Sequence, residues 1–394
     1  MRASALLLLS TLCPSLFAAT GSAEIIADWA MPLRNEKSQI VISRERTQPV
    51  ILGDILFIAS LAGEAVALHR KDSYLFWRTK MPAGVEGGFN QGRSKLIVGD
   101  RNGNLQALNT RDGSIAWQIH KLSEWLSAPE ITRGKVILTS SAEEVFALHE
   151  NTGASLWQYS GRGDEKMSVR GTSSPTVFND SVYVGFASGK IVSLDISDGS
   201  VRWEKQVQGR RMQRRFYDVD VKPYVDQRSV IVSNYEGNTV SLNRDNGDTQ
   251  WIFPVGSYGG YLVEKDRVFF AGTNGSFYAL DRDTGQPAWS IKYEGIGTQP
   301  TRVGDYVVFT VSSDPIYLLD AKTGAVVDTY RLGAGSLASA TAAGPDSFYC
   351  LSNYGNLYGF SIRKKNPLRM ATEVVPTLSA LNRFGQPGPH SEVP

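Results

Sequence analysis

One fifteen-residue pattern recurs seven times along the chain at a spacing of about 40 residues, and it constrains the fold more than any other feature. Each copy starts with Gly or an acidic residue, forms a short apolar strand, turns, usually through Gly, and ends on Trp. Six copies end on Trp77, Trp117, Trp157, Trp203, Trp251 and Trp289, and a seventh ends on Asp328. Self-similarity at this period is typical of stacked supersecondary units, so the pattern predicts a repeat architecture.

Each copy has the pattern of a β-hairpin. In IVSLDISDG, apolar and polar residues alternate as in a strand, and the closing turn needs a positive φ that Gly provides. A lone hairpin cannot bury a Trp side chain, which carries about 150–250 Å² of surface, whereas packing against the next unit can. We therefore expect a structural, blade-docking role for Trp29, Trp77, Trp117, Trp157, Trp203, Trp251 and Trp289.

A second pair of strands lies between successive hairpins. The segments SSPTVFNDSVYVGF and TQPTRVGDYVVFTV each read as a strand, a polar turn and a buried apolar strand. Four strands in about 40 residues is the blade of a β-propeller, whose ring leaves few exposed strand edges. The sequence thus predicts an all-β fold.

The two ends of the repeat region complete one another. An eighth copy of the first strand, Gly355 to Ile362, has no Trp strand after it, and the strand around Trp29 has no hairpin before it. If the N-terminal strand closes the last blade, the ring has no open seam. We predict eight blades, with seven as the alternative if the Asp328 unit is degenerate.

The chain divides into three parts. Residues 1–23 carry Arg2, an apolar run and small residues, which is typical of a secretory signal peptide. Residues 24–362 form the predicted propeller, and residues 363–394 are a tail interrupted by Pro that we expect to be flexible. No later segment has the 18 or so apolar residues of a membrane span, and a net charge of +2 gives no reason to expect nucleic-acid binding.

Cysteine is sparse. Cys350 is in a predicted strand, and Cys13 lies at the end of the apolar run of the signal. Bacterial lipoproteins are cleaved just before a Cys that is then acylated, so Cys13 is a candidate lipid attachment site. Ser10, Thr11 and Leu12 precede it, whereas the usual pattern has a small residue directly before the Cys.

The repeat and two motifs between its copies resemble a known family. The repeat looks like the quinoprotein-type propeller repeat, and residues 167–320 are similar to the outer-membrane protein assembly factor BamB. The more specific part of the match is an RG-x-S-x-P segment at Arg170 to Pro175, paired with DVD-x-x-P at Asp218 to Pro223. The resemblance extends from about Trp29 to Ile362 and implies a propeller.

The resemblance also implies a function. Members of this family sit on the periplasmic face of the outer membrane, peripheral or lipid-anchored, and assist insertion of β-barrel proteins. They bind the periplasmic domains of the central barrel protein of the assembly machinery, and unfolded outer-membrane proteins are further candidate partners. Carried over to this chain, the partner-binding positions are Met167, Val169 and Arg170 on one loop and Asp218 and Asp220 on the next. Met167 and Val169 depart from the Leu of the family pattern.

An Arg cluster precedes the second motif. Arg210, Arg211, Arg214 and Arg215 lie in GRRMQRRF, and we include Arg214 and Arg215 among the candidate partner contacts because of that position. A solvated charged loop is the structural alternative, as is a pair between Arg170 and Asp218. The repeats ending at Trp203 and Trp251 are 46 and 48 residues long, and their extra length lies in these stretches.

Two other functional classes fit a propeller. A quinone-dependent dehydrogenase would need a calcium site and commonly a vicinal Cys pair, and the sequence has no Cys pair and no metal-ligand spacing. His69 and His149 occupy turn positions of the repeat, and no His lies near Ser173 and Ser174 in sequence. We therefore expect neither catalysis nor a cofactor. A periplasmic propeller that binds another envelope protein, peptide or glycan is the remaining alternative.

Overall fold

The computed structural model describes residues 23–33, 44–161, 173–207, 219, 221–234 and 237–365. All 32 regular elements in these ranges are β-strands, and they form eight four-stranded antiparallel sheets. The sheets are the blades of an eight-bladed β-propeller, so the prediction of an all-β ring is confirmed and the seven-bladed alternative is wrong. Within these ranges no helix is long and apolar enough to cross a membrane.

The first strand of the chain, β1 (Ala23–Pro32), belongs to the last blade, and blades 1 to 4 follow it in order. Blade 1 contains β2 (Val50–Leu52), β3 (Ile55–Ser60), β4 (Glu64–His69) and β5 (Leu75–Lys80), and blade 2 contains β6 (Phe89–Gln91), β7 (Lys95–Gly99), β8 (Asn104–Asn109) and β9 (Ile115–His120). Blade 3 contains β10 (Glu130–Thr132), β11 (Lys135–Thr139), β12 (Glu144–His149) and β13 (Ser155–Ser160), and blade 4 contains β14 (Thr176–Phe178), β15 (Ser181–Gly185), β16 (Lys190–Asp195) and β17 (Val201–Gln206).

Blades 5 to 8 repeat the same order. Blade 5 contains β18 (Tyr224–Val225), β19 (Ser229–Ser233), β20 (Thr239–Asn243) and β21 (Thr249–Phe253), and blade 6 contains β22 (Leu262–Val263), β23 (Arg267–Gly272), β24 (Ser276–Asp281) and β25 (Pro287–Lys292). Blade 7 contains β26 (Thr301–Val303), β27 (Tyr306–Phe309), β28 (Ile316–Asp320) and β29 (Val326–Tyr330), and blade 8 contains β30 (Thr341–Ala342), β31 (Ser347–Leu351) and β32 (Asn356–Lys364) together with β1.

The ends of the strands define two faces of the ring. Because neighbouring strands in a blade are antiparallel, the turn between its second and third strands lies at the same end as the connection to the next blade. In blade 1, Met81 of that connection donates its N–H to the Gly63 carbonyl of that turn at 2.8 Å. We call this end of every blade the connection face. The opposite end, with the turn between the third and fourth strands, is the hairpin face.

The repeated Trp residues dock between blades as predicted. The indole Nε1 of Trp117 donates to the Glu150 carbonyl of blade 3 at 2.8 Å, and its ring lies over Gly153, where a Cβ would approach Cε3 to 2.7 Å. The same pairing of ring and Gly joins Trp77 to Gly113, Trp157 to Gly199, Trp203 to Gly247, Trp251 to Gly285 and Trp289 to Gly324. Each of these Gly residues has a positive φ, as predicted. Because Gly has no Cβ, the Trp ring of the preceding blade can pack directly against its backbone, and we call this contact the seat of the Trp.

Blade 8 is closed by the N-terminal strand, as predicted. Strand β1 pairs antiparallel with β32, and Trp29 lies opposite Gly359. A Cβ on Gly359 would come within 2.5 Å of the Trp29 indole, so this ring packs on a Gly of its own blade and not of the next. The next blade in the ring is blade 1, and its hairpin has Ser73 with a positive φ at the position where the other hairpins have Gly.

Asp328 replaces Trp because the next blade offers no hairpin. The third and fourth strands of blade 8 come from opposite ends of the chain, so no turn exists on which an indole could rest. Asp328 instead accepts a hydrogen bond from the Ile25 N–H of β1 at 2.8 Å through Oδ2, and its Oδ1 lies 3.5 Å from Lys365 Nζ. The irregular repeat therefore holds the closing strand.

Candidate functional site

The residues predicted to carry function lie outside the described part of the chain. These residues are Met167, Val169, Arg170, Arg214, Arg215, Asp218, Asp220 and Cys13. The structure does describe both ends of the two connections that contain all of them except Cys13. The described ends of these two connections therefore show where on the ring the candidate site lies.

The two connections lie on neighbouring blades and on the same face. Residues 161–175 join blade 3 to blade 4, and residues 207–223 join blade 4 to blade 5. They contain 15 and 17 residues, whereas the connection of residues 81–88 after blade 1 contains 8, so the extra length of these two repeats is indeed in these connections. Residues 33–49, which join β1 to blade 1, are equally long, but they precede the first copy of the repeat, so its spacing could not show them.

The first connection is fixed where it leaves and where it returns. Gly161 donates its N–H to the carbonyl of Glu143 at 2.8 Å, and the buried carboxylate of Glu143 accepts the Ala187 N–H at 3.0 Å. At the other end, Ser174 Oγ accepts the Ala128 N–H of the preceding connection at 3.0 Å. One end of the first connection is thus tied to a turn of blade 3, and the other end is tied to the preceding connection.

The second connection is held by its central Val. Val219 is fully buried, and its N–H donates to the Phe186 carbonyl at 3.1 Å. A Cβ on Gly185 would meet Val219 Cγ1 at 2.3 Å, so Val219 packs at a place where blade 4 carries no side chain. The start of the connection is fixed by Asn234 Nδ2, which donates to the Val207 carbonyl at 3.1 Å. Val219, the middle residue of the DVD motif, therefore anchors the second connection to blade 4.

The two motifs bond directly to one another. The fully buried Ser173, which is the Ser of RG-x-S-x-P, donates through Oγ to the Val221 carbonyl at 3.1 Å. Thr176 donates through Oγ1 to the carbonyl of Pro223, the Pro of DVD-x-x-P, at 2.5 Å. Two segments 48 residues apart in the chain are thereby joined into one unit on the connection face. This contact gives Ser173 a structural role.

Charged side chains cross the same face of the ring. Lys222 Nζ lies 2.8 Å from Glu130 Oε2, which links the second connection to β10, the first strand of blade 3. Arg46 Nη1 lies 3.4 Å from Glu86 Oε1, and the Arg46 guanidinium lies 5.6 Å from the centre of the Tyr258 ring of the connection after blade 5. Ion pairs between partly exposed side chains such as these contribute little to stability.

A third connection, between blades 2 and 3, contributes residues that the repeat did not reveal. Trp125 is outside the repeat register, fully buried, and donates through Nε1 to the Gly103 carbonyl at 3.0 Å. Three residues earlier, Leu122 is completely exposed. The only sequence signal for either residue was an apolar side chain in a connection, which does not separate a buried residue from an exposed one.

The described residues contain no group of three or more His, Cys, Asp or Glu that could hold a metal ion. His69 Nδ1 lies 2.7 Å from Asp72 Oδ1, and His149 Nδ1 lies within hydrogen-bond distance of the Asn151 N–H and the Thr152 hydroxyl, so each His ends a strand and bonds to the turn that follows it. The only Cys in these ranges, Cys350, is buried and free, and burial raises the pKa of its thiol to about 12.

Comparison with known proteins identifies the family. The family model "Outer membrane protein assembly factor BamB" matches residues 19–120 and 62–291. A protein of that name from Yersinia pestis is 25% identical over 331 residues, which cover 80% of this chain and 84% of the relative.

Solved structures share the fold. The crystal structure of BamB from Moraxella catarrhalis superposes with a TM-score of 0.72 at 23% identity and covers 86% of this chain and 99% of its own. A quinohemoprotein alcohol dehydrogenase from Pseudomonas putida superposes with a TM-score of 0.71 at 12% identity, covering 91% of this chain and 78% of the enzyme. At these identities the two superpositions show the propeller alone. The family model matches more than half of the sequence, and the chain therefore belongs to the BamB family of outer membrane protein assembly factors.

Proposed function

We propose that this protein is a non-catalytic scaffold of the machinery that assembles β-barrel proteins in the outer membrane. In this proposal it is exported to the periplasmic face of the outer membrane and binds the periplasmic domains of the central barrel protein. Its connection face is the binding surface, and the two long connections between blades 3, 4 and 5 provide the contacts. Binding there assists insertion of outer-membrane proteins.

The observation that supports this proposal best is the coupling of the two connections. Ser173 bonds Val221, and Val219 is buried against blade 4, so the described ends of the two connections are held next to each other. A binding surface assembled from preorganised loops loses little conformational entropy when a partner binds. An Arg and two carboxylates offer charge-assisted hydrogen bonds to a protein partner.

The first experiment is affinity purification from solubilised cell envelope. We expect the wild-type chain to retain the central barrel protein, and Arg170→Glu or the double variant Asp218→Lys/Asp220→Lys to lose it. Arg228→Glu is the matched control, because Arg228 is 68% exposed on the hairpin face. All variants should unfold at the same temperature as the wild type. Retention of a different envelope protein, without the barrel protein, would support the alternative class of propeller and contradict this proposal.

Export and anchoring are tested separately. We propose that residues 1–23 are removed as a signal peptide or that Cys13 becomes the acylated first residue of the mature chain. Metabolic labelling with a clickable fatty acid, followed by mass spectrometry of the N-terminal peptide, distinguishes the two. Cys13→Ser should abolish labelling if Cys13 is acylated, and an unlabelled wild-type chain that begins after Ala18 or Ala23 would exclude the lipid.

The non-catalytic part of the proposal has its own test. Quinone-dependent dehydrogenases share the fold, so the chain should be mixed with pyrroloquinoline quinone and Ca²⁺ and followed by absorbance. We expect no spectral change and no dehydrogenase activity. A saturable shift of the quinone spectrum would overturn this part of the proposal and leave the family membership intact.

A further inference from the structure

Leu122 is the most exposed of the large apolar residues in the described part of the chain. Most of the others lie on the fourth strand of a blade, as Ile115 and Val201 do, or near the turns of the hairpin face, as Leu52 does. Leu122 lies on the connection face, in the connection from β9 to β10, and is completely exposed, whereas Ile296 on the same face is only 38% exposed. Single exposed apolar residues are common on protein surfaces, so exposure alone would mean little.

The turn that carries Leu122 is fixed to blade 2 on both sides of that residue. Lys121 donates its N–H to the Gly103 carbonyl at 2.9 Å, and Trp125 donates its N–H to the Asp100 carbonyl at 3.2 Å. The buried Trp125 indole adds a second bond to Gly103 at 3.0 Å. Leu122 is therefore held away from the ring by a rigid turn and does not fold back onto it.

Blade 3 holds the same turn from the other side. Glu124 and Ser141 are joined by two hydrogen bonds, from the Glu124 N–H to Ser141 Oγ at 3.1 Å and from the Ser141 N–H to the Glu124 carbonyl at 2.9 Å. Lys121 Nζ lies 5.0 Å from the centre of the Phe146 ring, and that ring packs edge-on against Trp125. Anchoring by two blades fixes the backbone on both sides of Leu122, while Leu122 itself stays exposed to solvent.

The position of Leu122 connects it to the candidate site. Its connection precedes residues 161–175 around the ring, and Ala128 at its end donates to Ser174 Oγ of that next connection at 3.0 Å. The three connections between blades 2, 3, 4 and 5 thus form a continuous strip on one face. A turn that is already fixed before a partner binds loses little conformational entropy on binding, so an apolar side chain on such a turn is suited to anchor an interface.

We propose that Leu122 is an apolar anchor that inserts into an aliphatic pocket on the folded protein domain bound by the connection face. This proposal rests on the proposed function, because it deepens the same interface. The occupant is a protein domain and not a lipid surface, because membrane docking requires several apolar side chains with basic residues around them. Leu122 has Ser123 and Glu124 beside it, and the neighbouring Lys121 is engaged with Phe146.

The experiment measures the dissociation constant of the purified chain for the purified periplasmic domains of the central barrel protein from the same organism. We expect Leu122→Asp to weaken binding at least tenfold, because a charged side chain cannot enter an aliphatic pocket, and Leu122→Met to bind within about threefold of the wild type. Leu52→Asp is the matched control, since Leu52 is 40% exposed and near a turn on the hairpin face, and it should bind like the wild type. If Leu122→Asp does not fold, Leu122→Ser replaces it.

The outcomes separate this proposal from the one on which it rests. Wild-type binding that Leu122→Asp leaves unchanged overturns the anchor and keeps the proposed function, whereas absence of wild-type binding contradicts the proposed function itself. An equal loss for Leu122→Asp and Leu52→Asp also overturns the anchor, because the effect would not depend on the face. Binding of the wild type, but not of Leu122→Asp, to vesicles of phosphatidylethanolamine and phosphatidylglycerol would assign Leu122 to a membrane instead.

Discussion

Ser173 Oγ donates a hydrogen bond to the Val221 carbonyl oxygen at 3.1 Å, and this bond joins two connections that belong to different blades. Ser173 is fully buried and Val221 nearly so, which means that water cannot replace the bond if it is removed. The bond lies at the base of the segments that we propose to bind the partner. A defect there should therefore change both stability and binding.

Ser173→Ala should lower the free energy of unfolding by about 1–2 kcal/mol, because it leaves a buried carbonyl without its donor. It should also weaken partner binding, since the two connections lose their link. Urea unfolding followed by Trp fluorescence and titration with the partner domains measure the two effects. Ser114→Ala is the control, because Ser114 is in an exposed turn and its hydroxyl bonds only side chains of the same exposed turn, Asp112 and Asn109, and it should change stability by less than about 0.5 kcal/mol. Full stability of Ser173→Ala would argue against the coupling.

Gly153→Ala and Gly134→Ala separate the cost of a positive φ from the cost of a Cβ that contacts Trp117. Both residues are in blade 3 with φ near +70°, at 71° and 74°, so both substitutions carry a backbone penalty of about 1 kcal/mol. A Cβ on Gly134 meets nothing within 4 Å, whereas one on Gly153 meets the Trp117 ring at 2.7 Å. We expect Gly153→Ala to be less stable than Gly134→Ala by about 1–3 kcal/mol, the cost of overpacking. Equal stability of the two variants would mean that the Trp does not need this seat.

Asp328→Ala should destabilise the ring at its closure. The substitution leaves the Ile25 N–H without its acceptor, and we expect a loss of about 1–2 kcal/mol in the free energy of unfolding. Asp328→Asn keeps an acceptor oxygen and should lose less. Lys365→Ala removes only an ion pair at 3.5 Å and is the control for the charge. If Asp328→Asn is as unstable as Asp328→Ala, the charge and not the hydrogen bond holds β1.

Cys350 should be unreactive in the folded protein. Burial raises the pKa of its thiol to about 12, from a usual value of 9.0, so the thiol is neutral and inaccessible at pH 8. Iodoacetamide should label this residue only after unfolding, and Cys350→Ala assigns the labelled peptide by mass spectrometry. Labelling of Cys350 at native-state rates similar to those of a free thiol would contradict the burial.

The same thiol predicts a pH dependence of stability. Because the folded-state pKa lies above the unfolded one, the contribution of Cys350 is complete below pH 9 and is lost as the pH rises toward 12. Burial also raises the pKa values of Tyr293 and Tyr358 from 10.0 to about 12, so both residues lower the stability from pH 10 upward. Urea midpoints measured between pH 7 and pH 11 should therefore fall above pH 9. A constant midpoint would contradict this prediction.

Much of the ring could be predicted because its determinants are local. The Trp and Gly of each hairpin lie at fixed offsets in a repeat, and the incomplete units at Gly355 and Trp29 indicated the closure. The bond between Ser173 and Val221 has no such signal, because it joins irregular segments 48 residues apart. Burial of Val219 and exposure of Leu122 depend on which side of a connection faces the ring, and irregular backbone has no period from which to infer this.

The seat of each Trp on the following blade gives the ring a direction. Trp77 is covered only when Gly113 is in place, Trp117 only when Gly153 is in place, and so on to Trp289 and Gly324. Since the covering residue always comes later in the chain, each of blades 1 to 6 emerges from the ribosome before the surface that covers its Trp. Strand β1, in turn, is made before all the blades and pairs with the last of them. A fragment that ends at any of blades 1 to 6 therefore exposes an uncovered indole, and an incomplete ring carries apolar surface that the complete ring buries.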